Sequence, residues 1–114
     1  MNDNRPDPVD DHARWHGQFR WRVPAHFNIA EACCGRWARE HPRRVAIRAE
    51  REDGRVTMHR YGELQAAANR LSHALRRLGV KPGDRVAVVM PQRVETAVAN
   101  IAIFQLGAVA MPLS

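Results

Sequence analysis

The chain has 114 residues, of which 45% are hydrophobic and 26% are charged, and its formal net charge is +6. This length limits the chain to one domain, and its apolar content excludes disorder throughout. The first eleven residues hold four aspartates and no apolar run, so they do not form a secretory signal, and no segment is apolar enough to span a membrane. Two adjacent cysteines, Cys33 and Cys34, exclude a disulfide framework. We therefore expect an intracellular, cytoplasmic protein.

The positive charge comes from 17 arginines and one lysine, and it is spread along the chain. Residues 1–27 carry no net charge, whereas residues 28–60 and 61–114 carry +3 each. Nucleic-acid-binding proteins concentrate such charge on one stripe or helix face. The dispersion favours a solvated surface and no nucleic-acid partner. The alternative, a small basic module that binds an acidic or nucleic-acid partner, stays open at this point.

Residues 1–18 are interpreted as a flexible arm because their first part is polar and shows no helical or strand period. Residues 15–27 are rich in aromatic side chains and are expected to form an irregular segment that docks them on the body. Three histidines lie in or beside this segment: His12, His16 and His26. The spacing of His12 and His16 would suit a metal only on a helix, and Gly17 and the missing third ligand argue against such a site.

Asn28 is expected to cap a helix over residues 29–40, with Glu31 at the capping-box position. The predicted apolar face of this helix has four members: Ile29, Ala32, Cys33 and Trp37. Cys33 is therefore interpreted as a small buried hydrophobic residue and not as a catalytic thiol.

Residues 45–51 and 56–59 alternate around Asp53-Gly54, which predicts a β-hairpin. Residues 61–78 then show a helical stripe that includes Leu64, Leu71 and Leu78, and Gly79 should end this helix.

The chain continues with a β-branched run at residues 85–90, an apolar helix at 94–106 and a further strand at 108–113. A strand, a helix and a strand in so short a span predict a parallel βαβ unit. The fold class is therefore α/β: a helix, a β-hairpin, and then helix, strand, helix, strand.

No catalytic constellation accompanies this fold. The glycines match neither a dinucleotide fingerprint nor a P-loop, and the connection at residues 91–93 holds none. Ser72 and His73 are neighbours on a helix and point in different directions. We therefore expect no catalytic, cofactor-binding or metal-binding residue within the chain.

Three motifs in order nevertheless resemble the beginning of the adenylate-forming enzymes, the AMP-binding acyl-CoA synthetase superfamily. They comprise Tyr61, Glu63 and Leu64; Gly79, Val80, Gly83, Asp84, Arg85 and Val86; and Gly107, Ala108, Val109, Pro112 and Leu113. Residues 19–24 and Phe27-Asn28 are similar to the entry segment of the medium-chain acyl-CoA synthetase branch.

The resemblance implies that residues 19–114 are the start of the large AMP-binding domain, truncated at Ser114. It also implies a parent enzyme that joins a carboxylic acid to CoA through an acyl-adenylate, using ATP and Mg²⁺. The family's phosphate loop and catalytic lysines match no position here, so the fragment alone should be inactive. Without the rest of the domain, its apolar strands should be exposed.

Overall fold

The computed structural model describes residues 11–113, which form two small sheets and several helical elements. The helical elements are α1 (Asp11–Gln18), a π-helical turn (Glu31–Gly35) that runs into α2 (Arg36–Glu40), α3 (Tyr61–Arg77) and α4 (Val94–Gln105). The strands are β1 (Val45–Glu50), β2 (Val56–Arg60), β3 (Arg85–Val89) and β4 (Val109–Leu113). The mixed α/β class and the predicted order of elements from residue 29 onward are confirmed.

The amino-terminal segment departs from its prediction. Residues 11–18, expected to belong to a flexible arm, form α1, and none of its residues is buried. Asp11 supplies negative charge at the start of α1 and forms an ion pair of 3.0 Å with Arg14 one turn later, and both features favour a helix. The rest of the predicted arm, residues 1–10, lies outside the described residues.

The aromatic segment that follows α1 does not dock on the body, contrary to the prediction. Trp15, Phe19, Trp21 and Phe27 are all more than half exposed. Phe19 and Trp21 contact each other edge to face, with ring centroids 5.0 Å apart. Aromatic richness predicts that a segment seeks a contact, but it does not specify which surface supplies that contact.

The helix after Asn28 begins where the sequence predicts. The Asn28 side chain accepts a hydrogen bond of 3.1 Å from the backbone N–H of Glu31, which confirms the N-cap. The π-helical turn over Glu31–Gly35 was not predicted, and it changes which cysteine is buried. Cys34 has no exposed surface, whereas Cys33, predicted to be buried, is exposed. A π-helical turn takes one extra residue, so the face of the helix shifts along the sequence at this point.

This turn also positions an ion pair. Glu31 and Arg39, eight residues apart, form a two-pronged hydrogen-bonded pair along one side of the helix. A side chain at Gly35 would collide with the Glu31 carboxylate, so glycine keeps the path of this pair open. The hydrogen bond from Arg39 lowers the pKa of Glu31. The pair is exposed to solvent, so we assign it a geometric role rather than a large share of stability.

The predicted hairpin forms between β1 and β2, which pair in antiparallel fashion. Its loop is closed by a hydrogen bond from the Arg51 N–H to the Arg55 carbonyl, and Gly54 adopts φ +77° within it. Such a left-handed residue at the third loop position is typical of three-residue hairpins, and glycine adopts it without a steric penalty.

Helices α3 and α4 end in the same way. The N–H of Val80 donates to the Leu75 carbonyl and that of Gly79 to Arg76, while Ala108 and Gly107 donate to Ile103 and Phe104. Gly79 and Gly107 have φ values of +94° and +68°. Both ends are Schellman motifs, in which a left-handed glycine satisfies the last carbonyls. The predicted stop at Gly79 is confirmed, although Leu78, predicted on the apolar stripe, is 81% exposed.

β3 and β4 pair in parallel, so the predicted βαβ unit is confirmed. Helix α4 packs against both α3 and this sheet, and a buried core forms from Ala99 and Ile103 of α4 with Val88 of β3 and Ala108. Because side chains alternate along a strand, the other face of the sheet carries a second apolar set. We call it the open sheet face, and its exposed members are Ala87, Val89, Val109, Met111 and Leu113.

Candidate functional site

A cleft of about 800 Å³ lies between the β1–β2 hairpin and the start of α4. One wall is the end of β1 and the hairpin loop (residues 49–53) with Thr57 and His59 of β2. The other wall is the β3–α4 connection, from Pro91 to Glu95. The cleft therefore lies beyond the carboxyl end of β3, which is where open α/β sheets generally bind ligands.

Local contacts shape both walls. The Thr57 hydroxyl lies 3.2 Å from Nε2 of His59, two residues along the same face of β2. On the other wall, the Thr96 hydroxyl donates a hydrogen bond of 2.7 Å to the Pro91 carbonyl. This bond fastens the connection to the first turn of α4. Arg93, the residue before that turn, is extended and makes no side-chain cap.

The charges lining the cleft are mixed. Carboxylates come from both walls, at Glu50, Glu52, Asp53 and Glu95, and cationic side chains come from Arg51 and Arg93. Asp53 is engaged with Arg55, to which it is linked by an ion pair of 3.4 Å. A cleft with both signs of charge does not single out an anionic or a cationic ligand.

The described lining of the cleft contains no glycine-rich phosphate loop. Phosphate loops use glycines with backbone N–H groups aimed at the ligand. Gly83 and Gly107 have positive φ but lie just before β3 and β4, at their amino ends, where the Gly83 N–H donates to the Gly107 carbonyl at 2.8 Å. The β3–α4 connection holds no glycine. Within residues 11–113, ATP therefore lacks a built cradle at this cleft.

A metal site needs several ligands close together, and a nucleophilic side chain needs a base beside it. Among the described residues, no three histidine, cysteine, aspartate or glutamate side chains come together as a metal-binding group. Ser72 is buried on α3, while the neighbouring His73 is exposed, so the structure does not bring them together as a pair. Burial raises the pKa of the Cys34 thiol and so disfavours the reactive thiolate, and the adjacent Cys33 adds to this effect.

The sequence did not predict the cleft. The hairpin and the β3–α4 connection are each evident from local patterns, but 30 or more residues separate them, and no local signal shows that they face each other. A further unpredicted cluster surrounds Trp37, whose ring has the guanidinium groups of Arg36 and Arg44 each 5.0 Å from its centroid and the Tyr61 ring stacked at 6.0 Å. These contacts connect α2 to the residue before β1 and to the first residue of α3.

Comparison with known proteins identifies the family to which the chain belongs. The family described as "AMP-binding enzyme" matches residues 34–114, most of the chain. The acetyl-coenzyme A synthetase of Magnetococcus marinus is 36% identical over 107 residues, which cover 90% of this chain and 16% of that protein. Acetyl-coenzyme A synthetase 1 of Candida albicans is 37% identical over 106 residues, covering 90% of this chain and 15% of the relative.

Solved structures agree with the sequence relatives. The crystal structure of the Brucella canis acyl-CoA synthetase superposes with a TM-score of 0.71 at 26% identity, over 90% of this chain and 19% of that one. The crystal structure of CmiS6 gives a TM-score of 0.66 at 27% identity, over 82% of this chain and 23% of that one. The chain belongs to the family of AMP-binding enzymes, and it spans about a sixth of the length of the curated relatives that it matches.

Within residues 11–113, no helix has the length and hydrophobicity needed to cross a bilayer.

Proposed function

We propose that this chain is the amino-terminal part of the AMP-binding domain of a CoA ligase. The parent enzyme would join a carboxylic acid to CoA, with ATP and Mg²⁺, through an acyl-adenylate. The observation that carries the proposal is the match of residues 34–114 to the AMP-binding family together with about 36% identity to an acetyl-coenzyme A synthetase. The medium-chain likeness of residues 19–28 stays a prediction, because the relatives named above are acetyl-coenzyme A synthetases.

The role that we propose for the chain within that enzyme is architectural. Residues 11–113 supply a βαβ unit with a packed side and the open sheet face, and neither side carries a phosphate cradle or a metal-binding group. An acyl-adenylating enzyme must neutralise and orient phosphates. The groups that do this would come from the larger part of the parent enzyme, which the chain does not span.

This assignment predicts that the 114-residue chain alone is inactive. We expect no release of pyrophosphate when the purified chain is mixed with Mg-ATP, CoA and either acetate or octanoate. Formation of an acyl-adenylate under these conditions would contradict the proposal that the catalytic groups lie outside this chain.

The coding sequence provides a more direct test. If the chain begins a CoA ligase, the transcript beyond the codon for Ser114 should encode a segment rich in serine, threonine and glycine that ends in Pro-Lys. A transcript that ends after Ser114, with no such segment in any frame, would contradict the proposal and favour a small basic module.

That alternative predicts a different result in a binding assay. A module for nucleic acids concentrates its cationic groups and binds with steep salt dependence. Several arginines here are engaged locally, as in the Arg14–Asp11, Arg39–Glu31 and Arg55–Asp53 pairs. We accordingly expect no retention on a heparin column at physiological salt. We also propose a cytoplasmic location for the parent enzyme, because Cys33 and Cys34 of this chain form no disulfide.

A further inference from the structure

The helix α1 brings together two histidines that the family assignment leaves unexplained. His12 and His16 are one turn apart on α1, both exposed, with ring centroids 5.9 Å apart and planes within 17° of parallel. The spacing of the two histidines in the sequence does not by itself indicate a metal site, because imidazoles four residues apart share a face only on a helix. The structure provides that helix over Asp11–Gln18.

We propose that α1 binds a divalent transition metal through the imidazoles of His12 and His16, with water in the remaining coordination positions. Metal–imidazole bonds are about 2.0–2.1 Å long, so two bound nitrogens must lie roughly 3 Å apart. The observed rings are stacked nearly parallel, so both exposed side chains must rotate to bring one nitrogen of each onto a shared ion. Imidazole donors suit Cu²⁺, Ni²⁺ and Zn²⁺ better than Mg²⁺ or Ca²⁺.

The surroundings indicate binding without hydrolytic chemistry. The Asp11 carboxylate is engaged by Arg14 at 3.0 Å and is not part of the ligand set. Hydrolytic zinc helices place a glutamate directly after the first histidine, where this chain has Ala13. The ion therefore acts as a clamp across one turn of α1. Because α1 has only eight residues and buries none of them, such a clamp would contribute directly to its helical order.

This site is independent of the proposed function. Its two histidines precede residue 34, where the match to the AMP-binding family model begins, and no step of the proposed reaction uses them. Failure of the metal experiment would not affect the ligase assignment. Likewise, a result that contradicts the ligase assignment would not affect the metal site.

The test is a titration of the 114-residue chain with Cu²⁺ and with Ni²⁺, carried out in a Cys33→Ser background. This background removes the exposed thiol, which would otherwise compete for the metal. Electron paramagnetic resonance of the Cu²⁺ form should show two coordinated imidazole nitrogens at one equivalent of metal. Ellipticity at 222 nm should become more negative on addition of Ni²⁺.

Variants assign the ligands. His12→Ala and His16→Ala should each weaken Ni²⁺ binding about ten-fold or more, because a single imidazole lacks the second, intramolecular ligand. His26→Ala is the matched control, since it removes an imidazole outside α1 and should leave affinity unchanged. The double change His16→Ala with Gly17→His keeps the number of histidines but moves one off the shared face, so it should not restore binding.

Unchanged affinity in His12→Ala or His16→Ala would overturn the proposal, as would an equal loss in His26→Ala. A Cu²⁺ spectrum with a single coordinated nitrogen would do the same.

Discussion

Truncation of Ile103 to alanine tests whether α4 holds the βαβ unit together. The Ile103 side chain is 1% exposed and packs in the core with Val88, Ala99 and Ala108. The change removes three carbon atoms, at about 0.8 kcal/mol for each, and leaves a cavity whose cost adds to this loss. We expect the free energy of unfolding to fall by about 3–4 kcal/mol. With a urea slope of about 2 kcal/mol/M, the unfolding midpoint should drop by roughly 1.5–2 M.

The assay is urea unfolding followed by circular dichroism, at a protein concentration low enough that the chain is monomeric. Leu78→Ala is the matched control, because it makes a similar truncation at a side chain that is 81% exposed, and it should change stability by no more than about 0.5 kcal/mol. Equal losses in the two variants would refute the assignment of the core to the inner side of α4. A loss below about 1 kcal/mol for Ile103→Ala would also refute it, because that is no more than the typical cost of removing a single buried methylene.

Three further predictions concern close approach, thiol chemistry and exposed apolar surface. Gly62→Ala should lower the unfolding midpoint, because an added Cβ would lie 3.2 Å from both Cβ and the carbonyl oxygen of Pro42, whereas Gly17→Ala meets open space and should not. Cys33 should react with Ellman's reagent in the folded chain, and Cys34 should react only on unfolding. Equal labelling rates would contradict this. Because burial raises the pKa of the Cys34 thiol, the free energy of unfolding should fall as the pH rises above the ordinary pKa of a thiol. The chain should also bind a hydrophobic dye and self-associate through the open sheet face, and a monomer with no dye fluorescence would contradict that expectation.

Elements encoded by local chemistry were predictable from the sequence. The hairpin follows from alternating side chains around Asp53-Gly54, and the ends of α3 and α4 follow from Gly79 and Gly107. At each position, a few neighbouring residues determine the backbone, so a pattern in the sequence carries the information.

Features that depend on register or on distant contacts were not predictable. One extra residue in the π-helical turn exchanges the environments of Cys33 and Cys34, and a regular helical period contains no sign of it. The exposure of Trp21 and Phe27 could not be inferred either, because aromatic side chains indicate a contact without specifying its partner. α1 escaped prediction because Gly17 and the polar composition around it weaken the helical signal.

The cleft, like these features, could not be predicted from local sequence patterns. Its walls come from β1, β2 and the β3–α4 connection, and only the folded chain brings them together. The family, in contrast, was evident from three short motifs in order, because turn and cap residues at Gly79, Gly83 and Gly107 are tied to specific backbone conformations.

The most direct test of the central claim is a chimera. In the Magnetococcus marinus acetyl-coenzyme A synthetase, the segment aligned with residues 34–114 would be replaced by those residues, and acetyl-CoA formation would be measured. A second chimera that also carries Val88→Asp, which puts a charge into the core, serves as the control. We predict that the first chimera folds and forms acetyl-CoA and that the second does neither. A first chimera that fails to fold, or that folds cooperatively and forms no acetyl-CoA, would contradict the assignment of this chain to the AMP-binding domain of a CoA ligase.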